Sequence, residues 1–219
     1  MTNKRIIKDL IYDQLSRIGK AVSSPKRLEL IELLCQSEKT VESLAREADI
    51  SVKLASAHLK ELRVANLVET ERRGKYIYYR IADVAVRDFW VSLHTLAEER
   101  LVGLQLALKQ LAERPEDLVP SDRASLLKQA RKGEVVVLDV RPVDEYLAAH
   151  LPFARSIPLE ELRSRLSELP KDRAIVAYCR GPYCVMAKDA VSMLKKQGYK
   201  AGYLRDGVAE WNVAQSKDR

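Results

Sequence analysis

Apolar residues follow two rhythms along this chain, and the change between them divides it. Through the first half they recur at steps of three and four, the spacing of one face of an α-helix. Ile7, Leu10, Ile11, Leu15 and Ile18 mark a first amphipathic helix, with Gly19 close to its end. Ser24-Pro25 opens a second helix, with Ser24 as N-cap and Pro25 in the first turn. Leu28, Ile31, Leu33 and Leu34 supply its buried side, and Cys35 reads as a small core residue. Thr40 caps a short third helix whose Leu44 and Ala48 face inward. Asp49-Ile50 turns the chain, and Ser51 caps a fourth helix to about Ala65, with Leu54, Leu59 and Leu62 on its inner side. Asn66 suits a left-handed helix end. Leu67 to Arg80 then reads as a β-hairpin turning at Arg72-Arg73-Gly74-Lys75. From Asp83 one long helix is predicted. Val86, Trp90, Leu93, Ala97, Leu101, Leu104, Leu108 and Leu111 keep its seam for about seven turns.

After residue 120 short continuous apolar runs take over. Val135 to Asp139 and Ala174 to Tyr178 are apolar without a break, as strands buried on both faces are. Arg155–Ile157 and Ala201–Leu204 are shorter strand candidates. Helical stretches are expected from Ser121 to Lys132, with Ser121 capping and Gly133 ending it, and at Pro142–Ala148, Leu159–Ser167 and Val185–Gln197. Strands alternating with helices predict an α/β unit with a mostly parallel sheet. Between the halves, Glu113 to Pro120 carries two prolines and three acids without a helical period, and reads as a short, fairly stiff linker.

The 219 residues fit one or two domains. No apolar run reaches the ~18 residues of a membrane span, and the N-terminus lacks the apolar core of a signal peptide. Three cysteines do not make a secreted disulfide framework, so a cytoplasmic location is expected. The net charge is +7, with 20 Lys and Arg against 16 Asp and Glu in residues 1–114 and 18 against 15 in the rest. The excess is spread over both halves, so its placement matters more than its total.

That placement favours DNA in the first half. Two short helices joined by a tight turn have the plan of a helix-turn-helix. The second of them leaves Lys53, Ser56, Ala57, His58, Lys60 and Arg63 on its outer side, where small and hydrogen-bonding residues suit a major groove. Arg72, Arg73 and Lys75 at the hairpin tip make a basic wing for phosphates. The long seam outruns what a small winged domain covers, so a homodimer is expected, formed by the first helix and the Val86–Leu111 helix. Two recognition helices would then read palindromic half-sites about one helical turn apart.

Residues Ala21 to Ala112 resemble the ArsR/SmtB repressor family. The resemblance rests on Ser23-Ser24-Pro25-Lys26-Arg27-Leu28, on Ser56, His58, Leu59, Lys60 and Leu62, on Leu67-Val68, and on Gly74-Lys75 with Tyr78-Tyr79. It implies a repressor in which Lys53, Ser56, Ala57 and His58 face the groove and Arg72, Arg73 and Lys75 the backbone. The family's metal sites do not carry over. Thr40 to Ala48 holds no paired cysteines, and on the last helix only His94 and Glu98 remain of a ligand set. His94 is expected in the dimer seam and Glu98 in solvent, with no metal and no cofactor.

In the second half, Ala174–Tyr178 and the helix from Val185 bracket Cys179, Arg180, Gly181, Pro182, Tyr183 and Cys184. A loop ending at a helix start points backbone N–H groups inward. Such a cradle, with Arg180 near, is expected to lower the Cys179 pKa from about 8.5 toward about 7. Residues Ser121 to Asn212 resemble a single rhodanese domain. The matching stretches are Leu138-Asp139-Val140-Arg141-Pro142, Asp144-Glu145-Tyr146, His150-Leu151-Pro152, Ser156-Ile157-Pro158-Leu159, the cysteine loop, and Leu204 to Trp211. The resemblance makes Cys179 the nucleophile that takes sulfane sulfur as a persulfide, and Arg141 the arginine of the Asp-Val-Arg motif. Pro182 stands where many sulfurtransferases have glycine and removes one N–H from the cradle. Phe153 replaces a glycine, and Cys184 closes the loop. The longer loop of the fold's phosphatases and arsenate reductases is absent. Cys184, five residues on, is placed to attack a Cys179 persulfide or close a disulfide with it.

Together these features predict a multidomain chain. Residues 1–112 form a mainly-α winged helix-turn-helix with a long dimerisation helix, 113–120 a linker, and 121–219 an α/β rhodanese-like domain. The function expected is a transcriptional repressor that binds double-stranded DNA and senses small sulfur donors or oxidants through Cys179 and Cys184, with Arg180 and Arg141 beside them. The alternative is a thiosulfate or persulfide sulfurtransferase that controls its own expression. A metal-responsive repressor, holding zinc through Cys179, Cys184 and His150, is a weaker third.

Overall fold

The computed structural model describes residues 3–111, 115–119 and 122–217. They divide into two compact units, Met1–Trp90 and Val91–Arg219.

The first unit begins with α1 (Asn3–Val22), which runs through Gly19 and ends three residues beyond the expected stop. Its last carbonyls are satisfied from outside: the Arg27 guanidinium donates to the carbonyl oxygens of Lys20, at 2.7 Å, and Ala21. Ile6, Ile7, Leu10, Ile11 and Leu15 of α1 are exposed. In α2 (Pro25–Leu34), Leu30, Ile31, Leu33 and Leu34 are buried, and half-buried Cys35 forms its C-cap. β1 (Lys39–Thr40) precedes α3 (Val41–Glu47) and α4 (Val52–Val64). Thr40 and Ser51 cap these helices by accepting from the Ser43 and Leu54 N–H groups. Asp49 (φ 49°) and Asn66 (φ 56°) make the left-handed turns that separate the elements. β2 (Val68–Arg73) and β3 (Tyr76–Ile81) form the hairpin, and the antiparallel sheet has the order β1-β3-β2. The inner side of α4 is Ala55, Leu59 and Leu62, all at 0% exposure, whereas Leu54 is 43% exposed. Leu54 lies about 100° around the helix from Ala55, off the i, i+4, i+7 stripe.

The predicted single long helix is two helices. Asp83 starts α5 (Val84–Arg100) by accepting from the Ala85 and Val86 N–H groups, at 2.8 and 3.2 Å. The chain breaks at Leu101, and α6 (Val102–Leu111) follows. Gly103 lowers helix propensity there. Gln105 reaches back, its Nε2 donating to the Glu98 carbonyl at 2.8 Å and the Glu99 carbonyl at 3.5 Å, so the interrupted ladder keeps its partners. An even run of leucines carries no sign of this break, because a side chain stabilises it.

The second unit holds residues 91–111 and an α/β fold. Positions 113, 114 and 120 of the expected linker, and the expected cap Ser121, lie outside the described residues. Pro115–Asp117 is a 3-10 turn, Val119 N–H donates to the Tyr203 carbonyl at 2.9 Å, and buried Asp117 pairs with Lys195. This part of the segment is therefore bound to a sheet edge. Next come α7 (Arg123–Arg131), whose N-cap is Asp122, β4 (Val135–Asp139), α8 (Val143–Ala148), β5 (Arg155–Ser156) and α9 (Leu159–Leu162). They are followed by β6 (Ala174–Tyr178), α10 (Met186–Lys196), β7 (Ala201–Tyr203) and α11 (Val208–Lys217). All pairings in the sheet β5-β4-β6-β7 are parallel.

The two faces of the sheet are buried by alternate residues. Val136, Leu138, Ile175 and Ala177 pack with Leu162, Ala190, Val191 and Leu194 of α9 and α10. Val137, Val176 and Tyr178 pack with Leu126, Val208 and Trp211 of α7 and α11. Burial on both sides is why β4 and β6 read as unbroken apolar runs. The cysteine loop leaves the carboxyl end of β6, an inner strand between β4 and β7.

Candidate functional site

Cys179 is the first residue after β6 and is 3% exposed; Cys184, at the start of α10, is half-buried. Both thiols are free. The Arg180 and Gly181 N–H groups at one end of the loop, and those of Met186 and Ala187 at the start of α10, converge on the two sulfurs. Gly181 and Ala187 donate to Cys179, Arg180 and Met186 to Cys184. The Cys179 thiol also lies 3.5 Å from the Cys184 carbonyl oxygen.

The expectation that Cys179 ionises first is reversed. Burial pushes its thiol well above the ordinary cysteine range, and the neighbouring Cys184 pushes it further. Cys184 is pulled down to about 7, first by the hydrogen bond from the Cys179 thiol and then by the Arg180 and Met186 N–H groups. The buried thiol thus serves as donor and the more accessible one as thiolate. Sequence order could not reveal this, because it depends on which sulfur the fold leaves nearer solvent.

The two arginines expected beside the nucleophile hold carboxylates. Arg141 is fully buried; its guanidinium grips Asp139 at 2.7 and 3.0 Å and donates to the Ala149 carbonyl at 2.7 Å. Asp139 also accepts from the Tyr178 hydroxyl, which in turn accepts from Leu151 N–H at 3.1 Å. Burial and the Asp139 charge hold the Tyr178 hydroxyl far above its usual range. Arg141 is therefore a positioning residue behind the loop. Arg180 forms a two-armed pair with Glu145, whose side chain is fully buried, its Nε 3.0 Å from Oε1.

Residues that no spacing rule marked complete the loop's surroundings. Gly181 has φ +146°, and a Cβ there would sit 3.1 Å from Oε2 of Glu210, so the carboxylate occupies the space a side chain would take. At Gly207 a Cβ would lie 2.3 Å from the Arg180 carbonyl oxygen, so only glycine lets this backbone pass under the loop. Glu210 accepts from Gly207 N–H at 2.8 Å and lies 3.2 Å from Nε2 of His94 on α5. His94 is buried, with its other nitrogen 3.6 Å from Glu98 and its ring edge-on to Tyr183 of the cysteine loop, centroids 5.7 Å apart. Glu98 is paired with Arg205 and 14% exposed, not solvated as expected. The sequence offered His94 and Glu98 at helical spacing and Glu210 within the Leu204 to Trp211 stretch, but no sign that His94 and Glu210, 116 positions apart, meet. Among the described residues no group of three or more His, Cys, Asp and Glu side chains is placed to hold a metal ion. His150 stacks on Tyr146 and bonds its carbonyl oxygen at 3.0 Å.

In the first unit, Lys53, Ser56, Ala57, Lys60 and Arg63 of α4 are exposed and His58 is half-buried. Arg72, Arg73 and Lys75 are exposed at the hairpin tip. Arg73 is held by Glu71, at 2.7 Å, and Glu38, which leaves Arg72 and Lys75 as the wing's better candidates for phosphate. No helix of the described residues is long and apolar enough to cross a membrane.

Comparison with known proteins gives both halves a family. Residues 24–70 match the family described as bacterial regulatory protein, arsR family, and residues 122–214 match the rhodanese-like domain. The HTH-type transcriptional regulator Rv0324 of Mycobacterium tuberculosis is 42% identical over 207 residues, covering 94% of this chain and 91% of the relative. A sulfurtransferase of Allochromatium vinosum is 34% identical over 79 residues, 36% of this chain and 72% of its own. A winged helix-turn-helix fragment of Mycobacterium bovis, described as homodimeric, is 35% identical with a TM-score of 0.42, over 46% of this chain and 91% of the fragment. With a relative so similar over nearly its whole length, this chain belongs to the ArsR family of bacterial transcriptional regulators and carries a rhodanese-like domain at its C-terminal end.

Proposed function

We propose that the chain is a homodimeric DNA-binding repressor released from DNA when sulfane sulfur, or an oxidant, oxidises the Cys179–Cys184 pair. The observation that carries this reading is the seating of His94 against Tyr183 and Glu210. α5 contributes its first turns to one unit and its later turns to the other. A change in the cysteine loop therefore acts on that helix directly, through Tyr183, whose ring meets His94 edge-on, and through the Glu210 carboxylate that lies beside Gly181. An isolated transferase has no use for such a link. The exposed basic side of α4, the wing, and the DNA-regulating relatives support the DNA partner. The bare apolar face of α1 supports a second copy.

In the chemistry proposed, the Cys184 thiolate attacks the outer sulfur of a persulfide RSSH; Cys184–S–SH forms and RS⁻ leaves. Cys179 then attacks Cys184 Sγ as its proton passes to the leaving hydrosulfide, giving the Cys179–Cys184 disulfide and releasing H₂S. Two thiols lose two electrons, and the sulfane sulfur gains them. The test is a titration of a duplex, selected in vitro with the reduced protein, before and after polysulfide treatment. Affinity is expected to fall at least about tenfold, equivalent to ~1.4 kcal/mol of difference between the two states. Equal affinity in both forms, with the disulfide present by mass spectrometry, rejects the sensor.

The likeness to a sulfurtransferase and the amide cradle favour a second reading, sulfur transfer to cyanide or a thiol. Arg141 and Arg180 are held by buried carboxylates, so neither offers its charge to thiosulfate, and slow turnover is expected. Fast turnover lost in Cys179→Ser, with DNA binding indifferent to sulfur, would establish the enzyme instead.

A further inference from the structure

Within the second unit a pocket of about 310 Å³ opens beside the cysteine loop, between α6 and the segments Gly181–Lys188 and Tyr203–Arg205. Cys184 is in its wall and Cys179 is not. Leu108, Leu118 and Tyr203 give it apolar surface, and its charged lining is three cations, Lys109, Lys188 and Arg205, against one carboxylate, Glu98. Its walls are tied together. Lys188 Nζ donates to the Leu111 carbonyl at 3.0 Å, which fixes the end of α6 to α10. Arg205 pairs with Glu98, which fixes the loop after β7 to α5.

Bare sulfide or a short polysulfide chain needs no such room. A volume near 300 Å³ is the lower end of pockets that take organic ligands, and an excess of cations concentrates anions at the wall where Cys184 lies. We infer that this pocket binds an organic, carboxylate-bearing low-molecular-weight thiol in its persulfide form. Its carboxylates lie toward Lys109 and Lys188, and its terminal sulfur is delivered to Cys184. The inference deepens the sulfur-sensing reading and rests on it for the transfer step: the Cys184–S–SH bond forms and the carrier leaves as its thiolate.

Binding is tested apart from sulfur chemistry. S-methylglutathione has the carrier's carboxylates but no transferable sulfur. With the full-length reduced protein, saturating S-methylglutathione is expected to slow iodoacetamide alkylation of Cys184 at least about fivefold, as burial under a bound ligand does. Lys109→Glu, on an exposed position, is expected to weaken that protection about tenfold in ligand concentration, and Lys188→Gln less. The second arm compares rates of Cys179–Cys184 disulfide formation. Glutathione persulfide is expected to lose about tenfold in Lys109→Glu, and inorganic polysulfide less than about threefold. Absence of protection at millimolar S-methylglutathione overturns the site, and equal protection by thiosulfate overturns the organic carrier. If protection holds but neither donor forms the disulfide, the sulfur-sensing reading fails while the pocket stands.

Discussion

Arginine meets opposite fates in the two units. Beside the cysteine loop, Arg141 and Arg180 are drawn inside and locked to Asp139 and Glu145, so their charge is neutralised where it stands. On α4 and the hairpin tip, Lys53, Lys60, Arg63, Arg72 and Lys75 stay at the surface. The first set shapes a backbone; the second projects a field outward. An arginine in a motif therefore says little about its task until its partner is known. Arg73 makes the point within the wing: it is as exposed as its neighbours, yet Glu38 and Glu71 hold it.

The largest effect should follow from removing a buried partner. Arg141→Ala leaves Asp139 charged and enclosed, and is expected to cost about 3–5 kcal/mol in chemical denaturation of the full chain. A loss below about 1 kcal/mol would mean that the pair is dispensable and the contrast drawn here is wrong. At the surface the same kind of change should spare stability and weaken DNA binding. Lys60→Glu with Arg63→Glu is expected to lower affinity about a hundredfold at low salt and to reduce the slope of log affinity against log salt by about two. Arg73→Ala should change that slope far less; an equal change would place Arg73 among the phosphate contacts.

Partnering also sets the reactivity of the thiols, with an intermediate effect. Cys184 is an acid whose pKa is lowered to about 7, so its thiolate predominates above that pH and is lost below it. Its alkylation rate should rise through a midpoint near 7. Cys179→Ala removes the main hydrogen-bond donor and should raise the midpoint by more than about one unit, toward the ordinary value near 8.5. A midpoint that stays near 7 would assign the lowering to the Arg180 and Met186 amides alone. The smallest effect is expected at Phe153, exposed and held at φ +64°. Phe153→Gly relieves a left-handed conformation costing about 1–2 kcal/mol and gives back part in unfolded-chain entropy, for a net gain of at most about 1 kcal/mol.

Much of the scaffold was legible because local rules and burial agreed. β4 and β6 were found to the residue, since each is an apolar run covered on both faces. Thr40, Ser51, Asn66 and Gly133 marked helix boundaries by their own chemistry. What stayed hidden was decided by residues far apart in sequence. The break at Leu101 is bridged by Gln105 folding back onto the Glu98 carbonyl. The company of His94 depends on Glu210 and on Tyr183. The order of ionisation of the two cysteines depends on how deep each sulfur lies. The motif from Leu204 to Trp211 pointed to the region of Gly207 and Glu210, but not to the fact that one approaches the loop's backbone and the other joins it to α5.

The four-residue interval from His94 to Glu98 has a mechanical meaning. On one α-helix the two side chains lie about 40° apart around its axis, one against Glu210 and the other against Arg205. One residue inserted between them would swing Glu98 through about 100° and out of phase with Arg205. Such a chain should still fold in each half, yet the gearing between cysteine and helix would slip by a tooth.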